Sequence, residues 1–422
     1  MSDAGGKGFI QMAPGAGRMG VAVGIIVLSV MLLVWRISHF SGPIWRENQG
    51  GYTDFDDFYL VGRMYWSGML NDAYVLKTMW ATQVALTNAN SVMPWTYPPQ
   101  FDAFVAAFAM VPKGLAYTAF VGGTLLSYLL VLRRVAGKVF TEALALTAPA
   151  IWVAVLCGQN GLFTGTLIGL FCLAFLSGRR VAGVPLGLMV IKPHLAIGLS
   201  VLSLASRRWS LLAIAAPVVG VTSLLSTWAF GIAIWGAFLG AIKEAGGLLA
   251  SGGYPYFRMT SIYAALFTLG LPAKGALSVQ FASAVLACAV VVYIALSGRD
   301  LRRALGVAVL ATLVVSPYCY DYDMTIFGIA AALLLPDVLV RARGFEKLAM
   351  LVLAWLSSGW GLLRLMSLPR GADDVILVDT REVLSFAAFG YLALIVMVAV
   401  VLKRAPLAQS LRQGASAGAV RA

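Results

Sequence analysis

Charge is scarce in this chain. Asp, Glu, Lys and Arg make up 12% of 422 residues, well below the ~25% of a soluble domain. With 60% hydrophobic residues and a mean hydropathy of +0.86, a water-soluble globular protein is excluded. The apolar runs repeat at helix-spanning length and lack the alternation of a barrel. The expected fold is an all-α polytopic membrane protein. Histidine is nearly absent: His39 and His194 are the only two, which excludes a histidine-rich metal centre. The four cysteines (Cys157, Cys172, Cys288, Cys319) are scattered and give neither a disulfide framework nor a zinc spacing. There is no Walker loop, no glycine-rich dinucleotide fingerprint, no Gly-x-Ser-x-Gly and no zinc signature. A nucleotide-dependent or soluble-type enzyme is not expected, nor a cofactor. The net charge of +13 raises nucleic acid as a partner. Its basic residues instead form short clusters between apolar runs, the pattern of cytoplasmic loops, so no nucleic-acid binding is expected.

The clusters at 133–138, 179–180, 207–208, 299–303, 341–347 and 403–404 set a topology. Residues 1–18, rich in Gly and Ala, read as a disordered cytoplasmic N-terminus. Lys7 and Arg18 precede the first span at 19–37, which lacks a small-residue cleavage site and reads as a retained helix. Residues 38–99 then form an outer loop rich in Trp and Tyr, expected to hold short helices lying flat on the outer leaflet. The runs at 101–111 and 261–271 are too short to cross. Spans follow at 115–132, 139–156 and 162–176. The run 181–205 is broken at Lys192-Pro193 and reads as two short helices with an outward apex. Span 209–230 leads to an outer loop at 231–260. Spans at 276–297, 304–315, 324–340, 348–363 and 383–402 complete a bundle of about 10–13 helices, short broken or re-entrant ones included. Residues 403–422 form a cytoplasmic tail, and 19–402 a single transmembrane domain. With every basic cluster inside, the polar groups of the remaining turns meet outside.

Those polar groups are the candidate site. Gly51-Tyr52-Thr53-Asp54-Phe55-Asp56-Asp57 packs three carboxylates into four residues of a chain with 18 acidic residues. Close carboxylates repel, which can raise one pKa into the range of a general base. A helix-capping acidic turn is the other reading. Lys192-Pro193-His194 interrupts an apolar run, where a lysine needs an anionic partner such as a lipid phosphate, or else snorkels to water. Asp321 and Asp323 alternate with Tyr320 and Tyr322. Tyrosines can stack on a sugar while carboxylates accept its hydroxyls, Asp-x-Asp also suits a divalent cation, and an interfacial anchor is the third option. Gln159-Asn160 forms a polar turn, and Arg258 and Arg364 are possible phosphate partners.

Taken in order, Asp54-Phe55-x-x-Phe58-Tyr59, Gly68, Asp72-Ala73-Tyr74, Trp95-x-Tyr97-Pro98-Pro99, Gly158-Gln159-Asn160 and Lys192-Pro193-His194 resemble family 87 of the glycosyltransferases. These are multi-spanning enzymes of the C superfamily that use polyprenyl-phosphate sugars; mannosyl- and arabinofuranosyltransferases of envelope glycolipids belong there. Order and spacing carry the resemblance, over about residues 20–330. It implies an inverting transfer at the outer face of a bacterial plasma membrane to a glycolipid or glycan acceptor, with no metal. It maps the catalytic base onto Asp54, with Asp57 and Asp56 as alternatives because they stand where the family often has non-acidic residues. It implies donor-phosphate contacts from Lys192, His194 (Gln is also common there) and Arg258, and sugar or acceptor contacts from Tyr59, Tyr97, Gln159, Asn160, Tyr320, Asp321 and Asp323. A transporter or lipid flippase is the rival class. It predicts two matching halves with interruptions at corresponding positions, which the sequence does not display.

Overall fold

Residues 16–39, 52–87, 93–298, 300–369 and 379–406 are described by a computed structural model. The expectations for residues 1–15 and 407–422, and for Arg299, Asp373 and Asp374, lie outside the described residues. The described chain is helical, with a single isolated antiparallel bridge between Met259 and Tyr320 and no strand among the described residues. Among the described residues, seven helices are long and apolar enough to cross a membrane, and four shorter apolar helices accompany them.

The first long helix, Ala16–His39, ties the two ends of the bundle together. Near its start Arg18 bonds the Lys138 carbonyl at 2.9 Å and the Glu142 carboxylate at 2.7 Å. Near its end Arg36 reaches Thr53 Oγ1 at 3.2 Å. Eighteen residues at 1.5 Å each separate the two arginines by about 27 Å, roughly a hydrocarbon core. The basic turn at 133–138 therefore lies at one end of this helix and the acidic segment at the other. Helix Gly161–Leu176 shows how the interior closes. Gly161, Gly165 and Gly169 fall four apart on one face, and a Cβ at any of them would collide with Tyr322, Tyr128 or Val131. Small residues at this spacing let helix backbones approach closely. Tyr128 and Thr325 then bond across the contact, to the Thr325 and Gly161 carbonyls at 2.7 Å each.

Two expectations change. Within 38–99, the helices Asp54–Trp66, Leu70–Ala73 and Leu76–Thr87 do not simply lie on a leaflet. Phe55, Phe58, Trp95 and Phe101 are at most 1% exposed and interlock edge-on, with Phe58 at 5.1 Å from Phe101 and 6.0 Å from Trp95. The aromatic residues of this segment build a core against helix Pro99–Phe108; Trp66 and Trp80 stay exposed in the manner of boundary anchors. The segment 231–260 is not a plain loop either, because Ala233–Ser251 is helical. It runs beside the 54–87 layer: Phe230 meets Tyr65 at 5.3 Å, Phe238 meets Tyr74 at 6.1 Å, and Glu244 accepts from the Leu76 amide at 2.9 Å.

Candidate active site

Helix Asp54–Trp66 begins with Thr53 at its N-cap and puts all three aspartates in its first turn, where the helix dipole favours negative charge. Successive residues on a helix point about 100° apart, so each carboxylate meets a different neighbour. Asp56 Oδ2 accepts from the amide and hydroxyl of Thr53 at 2.8 Å each, and its Oδ1 pairs with Lys113 at 2.6 Å. Asp56 is the capping residue. Asp57 turns inward and its Oδ1 accepts from Tyr52 at 2.9 Å and Gln83 at 2.7 Å. Burial pushes its pKa up to about 8, with help from Asp54 and Asp56 and against those two hydrogen bonds. A carboxyl held more protonated in the folded than in the unfolded chain lowers stability as pH rises through the window between its two pKa values, here about 4 to about 8. Melting temperature is expected to fall over that window, and Asp57→Asn to flatten the fall; an unchanged slope in pH-dependent thermal unfolding removes this account.

Asp54 differs from both. Its Oδ1 accepts from Gln159 Nε2 at 2.8 Å, and its Oδ2 lies 4.0 Å from Arg258 NH1, without a hydrogen bond among the described residues. Its side chain is 17% exposed against 5% for Asp56. Gln159 has little freedom. Its Oε1 accepts from the Tyr97 hydroxyl and the Asn160 amide at 2.8 Å each, so its amino group must face Asp54. The turn itself depends on Gly158, which sits at φ +67° where an added Cβ would strike Phe55; glycine adopts that backbone without steric cost.

Around Asp54 lie two ion pairs. Arg258 holds Asp321 through two bonds, Nε to Oδ2 at 3.1 Å and NH2 to Oδ1 at 3.0 Å, and NH2 also reaches Cys157 Sγ at 3.3 Å. Lys192 bonds Asp323 at 2.9 Å and lies 4.8 Å from the Tyr322 ring centroid. Tyr320 and Tyr322 stack 5.3 Å apart, and Arg258 lies under 6 Å from both ring centres. The segments carrying Arg258 and Asp321 are joined by the Thr260 amide on the Cys319 carbonyl at 2.7 Å. Gly361 allows the Gly344–Ser367 helix to press on both, since a Cβ there would collide with Asp321 and Arg258. Lys192 owes its place to the break in the chain: Met189–Ile191 and Pro193–Ala196 are separate 3-10 turns on either side of it.

Thus Asp54, Tyr97, Gln159, Asn160, Lys192, Arg258, Tyr320, Asp321 and Asp323, from six remote stretches, come together. His194 is half-buried beside Lys192 and Asp323 and makes no hydrogen bond among the described residues. Asn160 is fully buried; its amide atoms lie beside Tyr97 but are not aligned to bond it or another described group. Tyr59 is not brought in, because its hydroxyl is donated to the Val111 carbonyl at 2.9 Å, five positions and a different helix face from Asp54. Arg364 stands away from the cluster, over the Trp360 ring at 5.8 Å. The Asp321 and Asp323 carboxylates face Arg258 and Lys192, and no cluster of three or more His, Cys, Asp or Glu suited to a metal occurs among the described residues. Sequence reasoning passed over Asp102, a buried carboxyl that meets the Tyr74 hydroxyl, which also lies 2.8 Å from the Tyr97 carbonyl. The signal was available: it is the only charged residue in the apolar run 101–111, and ionisable residues in such runs tend to have work to do.

The model of glycosyltransferase family 87 matches residues 95–317. The matched region holds Tyr97, Gln159, Asn160, Lys192, His194 and Arg258, and ends before Asp321; Asp54 precedes it. Neither the curated proteins nor the solved structures yield a match. With more than half of the sequence matched, the chain belongs to glycosyltransferase family 87.

Proposed function

We propose that the protein is an inverting glycosyltransferase that moves a sugar, mannose or a pentose such as arabinofuranose, from polyprenyl phosphate to a hydroxyl of a glycolipid or glycan acceptor. The carrying observation is the asymmetry among the aspartates. Asp56, Asp321 and Asp323 are each neutralised by a cation, Asp57 is buried with its hydrogen-bond donors, and Asp54 keeps Oδ2 open. Asp54 Oδ2 takes the acceptor proton as the hydroxyl oxygen attacks the anomeric carbon from the face opposite the phosphate. The bond from that carbon to the phosphate oxygen breaks, and its electron pair leaves on polyprenyl phosphate. A phosphate monoester, with a second pKa of about 6, is stable as an anion, so no second carboxyl is needed to protonate it. Arg258 NH1, the unused Lys192 protons and His194 are the donors for its oxygens. Asp54, Asp321 and Asp323 outnumber Lys192 and Arg258, so these donors serve by direct hydrogen bonds and not by surplus positive charge.

Orientation follows from the two ends of the bundle. The basic turn at 133–138 lies about one membrane thickness along the first helix from Thr53, and basic loops stay cytoplasmic. This supports an active site on the periplasmic side of a bacterial plasma membrane, with both termini cytoplasmic, 38–99 as the outer catalytic loop, and the prenyl chain in contact with membrane lipids. Purified protein incubated with a panel of polyprenyl-phosphate sugars and a glycolipid acceptor is expected to release free polyprenyl phosphate with one of them. Turnover of nucleotide sugars alone overturns the donor assignment.

A further inference from the structure

Asp102 is the carboxyl the mechanism leaves over. It is 0% exposed, on helix Pro99–Phe108 behind the site. Its Oδ1 accepts from Trp95 Nε1 at 2.9 Å, and its Oδ2 lies 2.7 Å from the Tyr74 hydroxyl. The same hydroxyl lies 2.8 Å from the Tyr97 carbonyl oxygen. A phenol has one proton to give. If Asp102 were a carboxylate, Tyr74 would face two acceptors with that one proton, and one short contact would pair two oxygens with no hydrogen between them. A proton on Asp102 Oδ2 resolves the count. The carboxylic acid then donates to the Tyr74 oxygen, Tyr74 donates to the Tyr97 carbonyl, and Trp95 donates to the remaining Asp102 oxygen.

We propose that Asp102 is a neutral, hydrogen-donating positioning residue that sets Asp54 through Tyr74, Tyr97 and Gln159. The link is continuous: Asp102 and Tyr74 fix the Tyr97 backbone, the Tyr97 hydroxyl fixes Gln159 Oε1, and Gln159 Nε2 fixes Asp54 Oδ1. It gives Tyr74 of the Asp72-Ala73-Tyr74 motif, and Trp95 and Tyr97 of the Trp95-x-Tyr97-Pro98-Pro99 motif, a shared task. Burial holds the Asp102 pKa at about 8, against the pull of Tyr74 and Trp95. The titratable groups facing it are Tyr74 and the neighbouring Tyr97; no charged side chain of the helices packed around it exerts a resolved pull. A neutral acid in an apolar site is a physically established state for a buried carboxyl. The assignment rests on the proposed reaction for its kinetic arm only.

The test exploits the mimicry between a carboxylic acid and an amide. In Asp102→Asn, Nδ2 donates to Tyr74 and Oδ1 accepts from Trp95, with no proton to lose. The expected result is kcat within about threefold of wild type near pH 7 and loss of the alkaline limb that deprotonation of Asp102 imposes on the wild type. Tyr74→Phe and Asp102→Leu break the link and are expected to lower kcat about tenfold or more with donor KM within about twofold, the mark of a misplaced base. A kcat for Asp102→Asn as low as that of Asp102→Leu overturns the proposal. A second readout needs no substrate: the infrared difference between wild type and Asp102→Asn at pH 6.5 should contain the C=O stretch of a protonated carboxyl. A carboxylate band there overturns the proposal whether or not any polyprenyl donor is turned over, and a protonated band in a protein inactive on every such donor indicts the proposed reaction instead.

Discussion

Asp54→Asn is expected to lower kcat by about 10²–10⁴-fold, the usual contribution of a positioned general base, with the fold intact. Asparagine can still accept from Gln159 Nε2 through its carbonyl oxygen, so the 2.8 Å bond that holds the side chain survives. What disappears is an oxygen able to take a proton. Release of polyprenyl phosphate measures the loss, and the melting temperature checks the fold. An anionic acceptor such as azide brings no proton to the site, and is expected to restore turnover in this variant alone. Asp57→Asn should retain most of its kcat, since the Asp57 carboxyl is buried and its Oδ1 already accepts from Tyr52 and Gln83. Asp56→Asn should lose stability first, because it removes the charge that faces Lys113 at 2.6 Å and weakens the Thr53 cap. Full activity of Asp54→Asn, or a larger kcat loss in Asp57→Asn, moves the base elsewhere.

Arg258→Met is expected to fail at the level of folding. Asp321 is 1% exposed, and stripping the partner from a buried ion pair costs about 3–5 kcal/mol because an uncompensated charge remains. The double variant Arg258→Met with Asp321→Leu removes both charges. Replacing a whole buried pair by apolar residues is often neutral for stability, so the double variant should melt within a few degrees of wild type. Its transfer activity should still be absent, since Arg258 NH1 is the guanidinium nitrogen turned toward Asp54 and the proposed phosphate site loses that donor. A stable double variant with wild-type kcat shows that the pair is structural and that the phosphate is held without it.

Several features were legible in the chain alone, for identifiable reasons. Lengths of apolar runs are counted over whole segments, so local errors cancel; the all-helical, multi-spanning fold came from them. The Lys192-Pro193 break was legible because proline cannot continue a helix through its own missing N–H. The 54–87 layer was not, since aromatic residues serve equally as boundary anchors and as core, and only the neighbours Phe101, Phe104 and Phe120 decide between them. The helix Ala233–Ser251 was hidden in what read as a loop because it holds Lys243, Glu244 and glycines at 236, 240, 246 and 247, a composition that lowers hydropathy without preventing a helix.

The acidic turn separates the two kinds of information most clearly. Its composition determined that a dense negative group would stand beside a membrane, and the order of the motifs around it carried the family. The division of labour within the group was decided by the tertiary structure. Asp54, Asp56 and Asp57 are chemically identical and adjacent, and what each does depends on partners 105, 57 and 26 positions away in Gln159, Lys113 and Gln83. A carboxyl's protonation and reach are set by the dielectric and the donors around it, and those are properties of packing, absent from any local stretch of the chain.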